Sequence, residues 1–296
     1  MTGYGTGLDH PERYSQEQLR VLGLYGEAMT LAVKQPPLMT TQEVHMVYDS
    51  MGAALAQTLT TTDGYVPVAQ IPEGGRRVTE HALHYARERL KKTGRAGEMT
   101  RFVVFDMPVQ RYDGTAGGEP HLPEGFALPA DILRLINGRR VGICEDIWDQ
   151  GVTLDYVTGR LVDLGAEGVI AHLLVDKPNA GGRIETIPGL RKGHVGLAYH
   201  GDDWLIGAGC LDLKKDFGRG LQDLYECEGS VVKPDDRLPP GFLDALDPAQ
   251  AQARQRFWDI WKELEGTTVD GQSALAFLNT IRAIGLERLS AYAQHG

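Results

Sequence analysis

The sequence has few cysteines, no long apolar run and no excess of basic residues. Its three cysteines, Cys144, Cys210 and Cys227, are too few for a disulfide framework and lack the spacing of a zinc site. No apolar run approaches the roughly 18 residues of a membrane span, and the N-terminal stretch has no apolar core typical of a signal peptide. These absences predict a cytoplasmic protein that makes no membrane contact.

The charge balance disfavours a broad nucleic-acid-binding surface. Lys and Arg number 30 against 40 Asp and Glu, so the formal net charge is −10 at pH 7. Such a field repels polyphosphate backbones, although a small basic anion pocket stays compatible with it. With 42% hydrophobic and 24% charged residues in 296, the composition is that of an ordinary globular protein. The length fits one generous domain with attachments.

Apolar runs alternate with amphipathic stretches, which predicts an α/β protein with a parallel sheet. Pro67 favours an early or edge position for its strand, and residues 111–129 form a long Gly- and Pro-rich loop of the kind that is often functional. The predicted strands cover 65–71, 101–107, 141–144, 168–175, 194–198 and 204–206. The predicted helices cover 15–33, 41–59, 76–90, 154–164 and much of 247–293. Ser15-Gln-Glu-Gln predicts a capping box at the start of the first helix.

Residues 141–153 carry the most informative pattern of the chain. An apolar strand is predicted to stop at the adjacent acids Glu145 and Asp146, and Asp149 follows. Gly151 and Thr153 then open a helix, whose first N–H groups suit a phosphate. Carboxylates at a strand end suit a sugar diol or a hydrated metal, so the segment predicts a ribose 5-phosphate site. The bland alternatives are a solvated acidic turn and an ordinary helix N-terminus.

This segment resembles the signature of the type I phosphoribosyltransferases, in the form found in the hypoxanthine-guanine (6-oxopurine) branch. Four further segments occur in the family's order. They are Pro72–Gly75 at the diphosphate loop, Arg111-Tyr112 at the mobile lid, Asp176-Lys177-Pro178, and Asp203–Gly207 with Leu211-Asp212. One departure is Glu73, which stands where the family has Lys or Arg.

The resemblance implies a phosphoribosyltransferase core with a five-stranded, mainly parallel sheet over residues 37–232. A small hood would come from 37–45 and about 180–230, and residues 1–36 and 233–296 would be helical extensions. It also implies a homo-oligomer, dimer or tetramer.

The implied activity is Mg²⁺-dependent transfer between phosphoribosyl diphosphate and a 6-oxopurine base, as in purine salvage. It would give a nucleoside 5′-monophosphate and diphosphate. Glu145 and Asp146 would bind the ribose hydroxyls and, with Asp212, hold Mg²⁺. Asp149 would be the catalytic base for the purine proton. The 5-phosphate and ribose would also contact Asp149, Gln150, Gly151, Val152 and Thr153.

The resemblance assigns the remaining contacts to three further groups of residues. The diphosphate would be bound by Glu73, Gly74, Gly75 and Arg219. The base would be bound by Lys177, Trp204 and Leu205, and Arg111 and Tyr112 would form the lid. The bland alternatives are a surface lysine for Lys177 and core packing for Trp204.

Two other functions stay open on the sequence. One is transfer to a modified purine or deazapurine in a specialised pathway, which the extensions and the altered loops allow. The other is a non-catalytic nucleotide sensor, which Glu73 favours and which Asp149 and Asp212 disfavour.

Overall fold

A five-stranded parallel sheet forms the centre of the protein, with strand order β2-β1-β3-β4-β5. The computed structural model describes residues 14–72, 74–110, 118–201, 203–211, 218, 221–232 and 240–280. The sheet strands are β1 Val66–Gln70, β2 Phe102–Asp106, β3 Arg140–Trp148, β4 Gly168–Asp176 and β5 Leu190–Ala198. All four neighbouring pairs are parallel, which confirms the predicted sheet and fold class.

Helices and short antiparallel pairs complete the described chain. The α-helices are α1 Gln16–Ala32, α2 Thr41–Thr61, α3 Gly74–Lys92, α4 Ala130–Ile136, α5 Val152–Asp163, α6 Gly229–Val232, α7 Pro248–Gly266 and α8 Ala274–Thr280. The 3₁₀ turns cover Ala96–Arg101 and Leu243–Ala245. Two hairpin-like pairs are β6 Leu205–Gly207 with β7 Leu224–Glu226, and β8 Thr268–Val269 with β9 Gln272–Ser273. No helix in these described stretches is long and apolar enough to cross a membrane.

Three strand predictions need correction. Strand β3 does not stop at Glu145 but continues to Trp148, because parallel pairing of Ile147 with Val175 extends it beside β4. Pro67 is the second residue of β1, which agrees with the predicted early position, but β1 is an internal strand, so the edge alternative is wrong. Strand β5 begins at Leu190, so 190–198 belong to the sheet and not to a hood that starts near 180.

The described residues divide into two compact units. One lies within positions 45–202 and contains the sheet, and the other combines residues from 1–44 and 203–296. In the sheet unit, β4 is buried along almost its whole length, as expected for a central strand covered on both faces. The division into units reflects only which residues lie close together in space, so it does not test the predicted domain limits. The limits 37–232 therefore stay a prediction.

In the second unit, helices from both chain extensions share one apolar core. Leu22 and Met29 of α1 are buried in the same cluster as Phe257 and Trp261 of α7. The helix starts follow the sequence, since Ser15 caps α1 in a capping box with Gln18, as predicted. The N- and C-terminal extensions therefore stabilise each other through side-chain burial.

A buried histidine in the sheet makes stability depend on pH. His172 of β4 is 3% exposed, and its Nδ1 accepts a hydrogen bond from the His194 N–H at 3.1 Å. Burial, with a smaller contribution from His194, lowers the pKa of His172 to about 4. Between about pH 6.5 and pH 4, His172 is therefore protonated in the unfolded chain but not in the folded chain. This stabilisation is complete above that window and is lost as the pH falls through it.

We expect the substitution His172→Gln to remove this sensitivity. Glutamine can still accept the His194 N–H but does not titrate. Between about pH 7.5 and pH 5, the free energy of unfolding of the wild type should fall by about 2 kcal/mol more than that of the variant. Urea denaturation at each pH measures the difference. His200→Gln, at an exposed histidine, is the control and should follow the wild type, and equal slopes for His172→Gln and wild type would contradict the assignment.

Candidate functional site

The acids Glu145 and Asp146 lie in the last residues of β3, at the carboxyl edge of the sheet. Glu145 is 7% exposed, and its Oε2 has no hydrogen-bond partner within the described chain. Burial, reinforced by the neighbouring Asp146 charge, raises the pKa of Glu145 well above its usual range. Asp146 Oδ1 accepts the Ile147 N–H at 2.8 Å. Glu145 is therefore a buried acid beside the half-buried Asp146, and a ligand or cation would compensate their charge.

Two glycines bring the start of helix α3 against these acids. A Cβ on Gly74 would lie 1.7 Å from Asp146 Oδ2, and one on Gly75 would lie 3.1 Å from Glu145 Oε2. A side chain at Gly74 would collide with the Asp146 carboxylate, and the N-terminus of α3, with its partial positive charge, approaches both carboxylates closely. The structure thus brings the predicted diphosphate loop and the predicted ribose acids together. Glu73 lies outside the described residues.

Gly151 is the N-cap residue of helix α5 and has no side chain that could bond to the first N–H groups of the helix. Its φ is +84°, in the left-handed region, and no side-chain cap bond forms. The first N–H groups of α5, on Val152 and Thr153, therefore lack the capping oxygen that many helices have. The side chain of Gln150 instead donates to Gly181 O at 3.3 Å. The first N–H groups of α5 lie within the segment 150–153 that is predicted to bind the phosphate.

Asp149 and Lys177 come from neighbouring strand ends and form an ion pair. Lys177 Nζ lies 3.7 Å from Asp149 Oδ1, with side-chain exposures of 5% and 49% respectively. Lys177 is therefore not a surface lysine, and that bland alternative is wrong. The backbone N–H of Lys177 also donates to Trp148 O at 2.9 Å, which joins the loop after β4 to the end of β3. A buried cation beside a half-exposed carboxylate can form hydrogen bonds with two polar atoms of one ligand.

Trp204 and Leu205 belong to the second unit. Trp204 is 36% exposed, so its indole is not packed in the core, whereas Leu205 is 2% exposed and its side chain is buried. Trp204 O accepts the Cys227 N–H at 2.8 Å, and neighbouring Asp203 pairs with Lys34 at 3.1 Å. The exposure suits a stacking role for Trp204 and argues against a side-chain contact between Leu205 and a base. Arg111, Tyr112, Asp212 and Arg219 lie outside the described residues.

No role was assigned from the sequence to four side chains near the site: Trp148, Asp176, Arg183 and Lys192. Asp176 accepts from Arg183 at 2.6 Å and from Lys192 at 2.6 Å, and both cations lie over the Trp148 ring at 4.5 and 4.6 Å. Arg183 follows two glycines in a polar stretch with no periodicity. No local signal could have marked it, because its partners are set by the pairing of β3 with β4.

Comparisons with known proteins give structural neighbours but no sequence relatives. No family model and no curated protein matches the sequence. A hypoxanthine phosphoribosyltransferase from Staphylococcus aureus superposes with a TM-score of 0.51 at 19% identity, covering 70% of this chain and 97% of that one. The hypoxanthine phosphoribosyltransferase of Trypanosoma cruzi gives 0.50 at 17%, covering 67% and 94%. This chain therefore has the type I phosphoribosyltransferase fold, with Glu145, Asp146 and Asp149 at the carboxyl edge of its sheet.

Proposed function

We propose that this protein transfers a phosphoribosyl group between phosphoribosyl diphosphate and a 6-oxopurine base. The observation that carries the proposal is the set of groups at one sheet edge. A glycine-lined helix start meets two acids, a helix start without a side-chain cap follows, and the Asp149–Lys177 pair lies between neighbouring strand ends. Open α/β sheets bind ligands at this edge. The products are a nucleoside 5′-monophosphate and diphosphate.

Each group has one task in this reaction. The N–H groups at the start of α5 bind the 5-phosphate, and Glu145 and Asp146 bind the ribose hydroxyls. The bond from ribose C1 to the diphosphate oxygen breaks, and a bond from C1 to the purine nitrogen forms. Asp149 takes or shares the N7 proton of the base. Lys177, which pairs with Asp149 in the free protein, donates to the exocyclic oxygen of the base.

The acids of β3 fit a magnesium ion. Mg²⁺ prefers oxygen ligands and is commonly held by one or two carboxylates together with substrate phosphates. Glu145 offers a buried oxygen without a partner and Asp146 a second carboxylate beside it, and Asp212 is proposed as the third. When bound, Mg²⁺ would neutralise charge on the diphosphate leaving group. Within the part of the chain that the structure describes, no group of three His, Cys, Asp or Glu side chains is preassembled, so the substrate would supply the remaining ligands.

A base screen tests the proposal. The protein is incubated with phosphoribosyl diphosphate, Mg²⁺ and one of hypoxanthine, guanine, xanthine, a 6-oxo-7-deazapurine, adenine, uracil or orotate, and diphosphate release is measured. We expect release with at least one of the first three bases. Release with the deazapurine alone would favour a specialised pathway. Nucleotide binding without release from any base would favour a sensor, and either result would overturn the proposal.

A further inference from the structure

The Arg183 side chain contacts main-chain carbonyls at the ends of both strands that precede the site, including those of Asp149 and Lys177. We propose that Arg183 is a positioning residue that fixes the loop carrying Asp149 relative to the loop carrying Lys177. This role rests on the proposed function for its catalytic consequence. Its structural part, the joining of two loops, can be measured separately.

The guanidinium of Arg183 bonds to the main chain of both loops. Its Nη1 lies 3.1 Å from Trp148 O and 3.4 Å from Asp149 O, at the end of β3. The same nitrogen lies 2.6 Å from Lys177 O, after β4. One cationic group therefore joins the carbonyls on either side of the Asp149–Lys177 pair. Charge-assisted bonds of this kind are stronger than bonds between neutral groups.

A second set of contacts holds the guanidinium itself in place. Nη2 donates to Asp176 Oδ1 at 2.6 Å, and the Arg183 side chain is 2% exposed. Lys192 from β5 occupies the other oxygen of Asp176 at 2.6 Å. The Trp148 ring lies under both cations, which adds a cation–π attraction. The only other carboxylate near Arg183 among the described ion pairs is Glu185, 3.8 Å from Nε and largely exposed.

This set of partners requires arginine. A planar fork of N–H donors can serve several acceptors in fixed directions, whereas the single ammonium of lysine cannot span the same set. Because Asp149 and Lys177 address two atoms of one base, their separation must match that base. A loop shift of about 1 Å can lower turnover roughly a hundredfold. Loss of the Arg183 bonds should therefore lower kcat more than it weakens donor binding.

The test compares Arg183→Met with Arg183→Lys and with Arg191→Met, a control at an exposed arginine of β5. Hydrogen exchange is followed for the segments 148–151 and 177–184, which contain the Lys177 and Ile184 N–H groups bonded to Trp148 O and Gln150 O. In Arg183→Met, exchange in these segments should accelerate roughly tenfold or more, while exchange in α3 stays unchanged. In the transfer assay, kcat should fall roughly tenfold to a hundredfold, and KM for phosphoribosyl diphosphate should change less than about threefold.

If Arg183→Met does not fold, Arg183→Lys decides, and it should show the same changes in a smaller degree. If the two segments exchanged in Arg183→Lys at the same rate as in the wild type, the positioning role would be overturned. Equal kcat values for Arg183→Met and Arg191→Met would also overturn it. If the wild-type protein transfers to no base, the proposed function fails and the exchange data alone judge whether Arg183 joins the loops.

Discussion

Replacing Asp149 by asparagine is expected to lower turnover by roughly 10²–10⁴-fold, while the affinity for phosphoribosyl diphosphate changes little. Asparagine keeps the shape of the side chain, and its amide oxygen can still approach Lys177 Nζ, 3.7 Å away in the wild type. It cannot accept the proton of the incoming base. Because the donor is bound by the helix starts and by Glu145 and Asp146 in the proposed mechanism, its binding does not need the Asp149 charge.

Steady-state kinetics and calorimetry with phosphoribosyl diphosphate and Mg²⁺ measure the two parts of this prediction. Asp163→Asn is the matched control. It makes the same chemical change at the other end of α5, where Asp163 is exposed and lies 3.9 Å from Arg160. Such a surface pair contributes little, so this variant should behave as the wild type. Undiminished turnover in Asp149→Asn would remove Asp149 as the base, and a joint loss of turnover and donor binding would assign it to the donor.

The parts of the site that the sequence predicted are those set by local chemistry. Gly151 before an amphipathic stretch predicts a helix start, and the structure has the α5 cap there. The Ser15 capping box is equally local and is confirmed. Such features depend on residues within one turn of each other, so they can be recognised from the sequence alone.

The parts that the sequence did not predict depend on pairing between distant segments. Two acids after an apolar run are typical of a strand end, yet β3 continues to Trp148 because β4 lies beside it. The same pairing places Asp176 opposite Trp148, within reach of Arg183. Burial of Lys177 has the same origin. Composition and periodicity carry no record of this register, so the bridge between the two loops is visible only in the fold.

Replacing Gly151 by alanine is expected to destabilise the protein and to weaken binding of a nucleoside 5′-monophosphate. A left-handed backbone costs a residue with a Cβ about 1–2 kcal/mol, and Gly151 has a φ of +84°. The new methyl group would also lie 2.5 Å from Trp148 Nε1. That indole is 3% exposed and packed under two cations, so the loop must move instead, and the phosphate-binding N–H groups move with it. Urea denaturation and calorimetry with guanosine or inosine monophosphate measure both effects.

Helix α5 offers a control in which the same substitution should act in the opposite direction. Gly159 lies in the interior of this helix, and a Cβ there would meet nothing within 4 Å. Gly159→Ala should therefore stabilise the protein by about 0.5–1 kcal/mol, because alanine loses less backbone entropy in a helix, and should leave nucleotide affinity unchanged. If Gly151→Ala were as stable as Gly159→Ala, residue 151 would not have the left-handed backbone conformation at the start of α5. If it were unstable but bound the nucleotide normally, the start of α5 would not be the phosphate site. The paired variants thus separate the role of Gly151 in the fold from its role in binding.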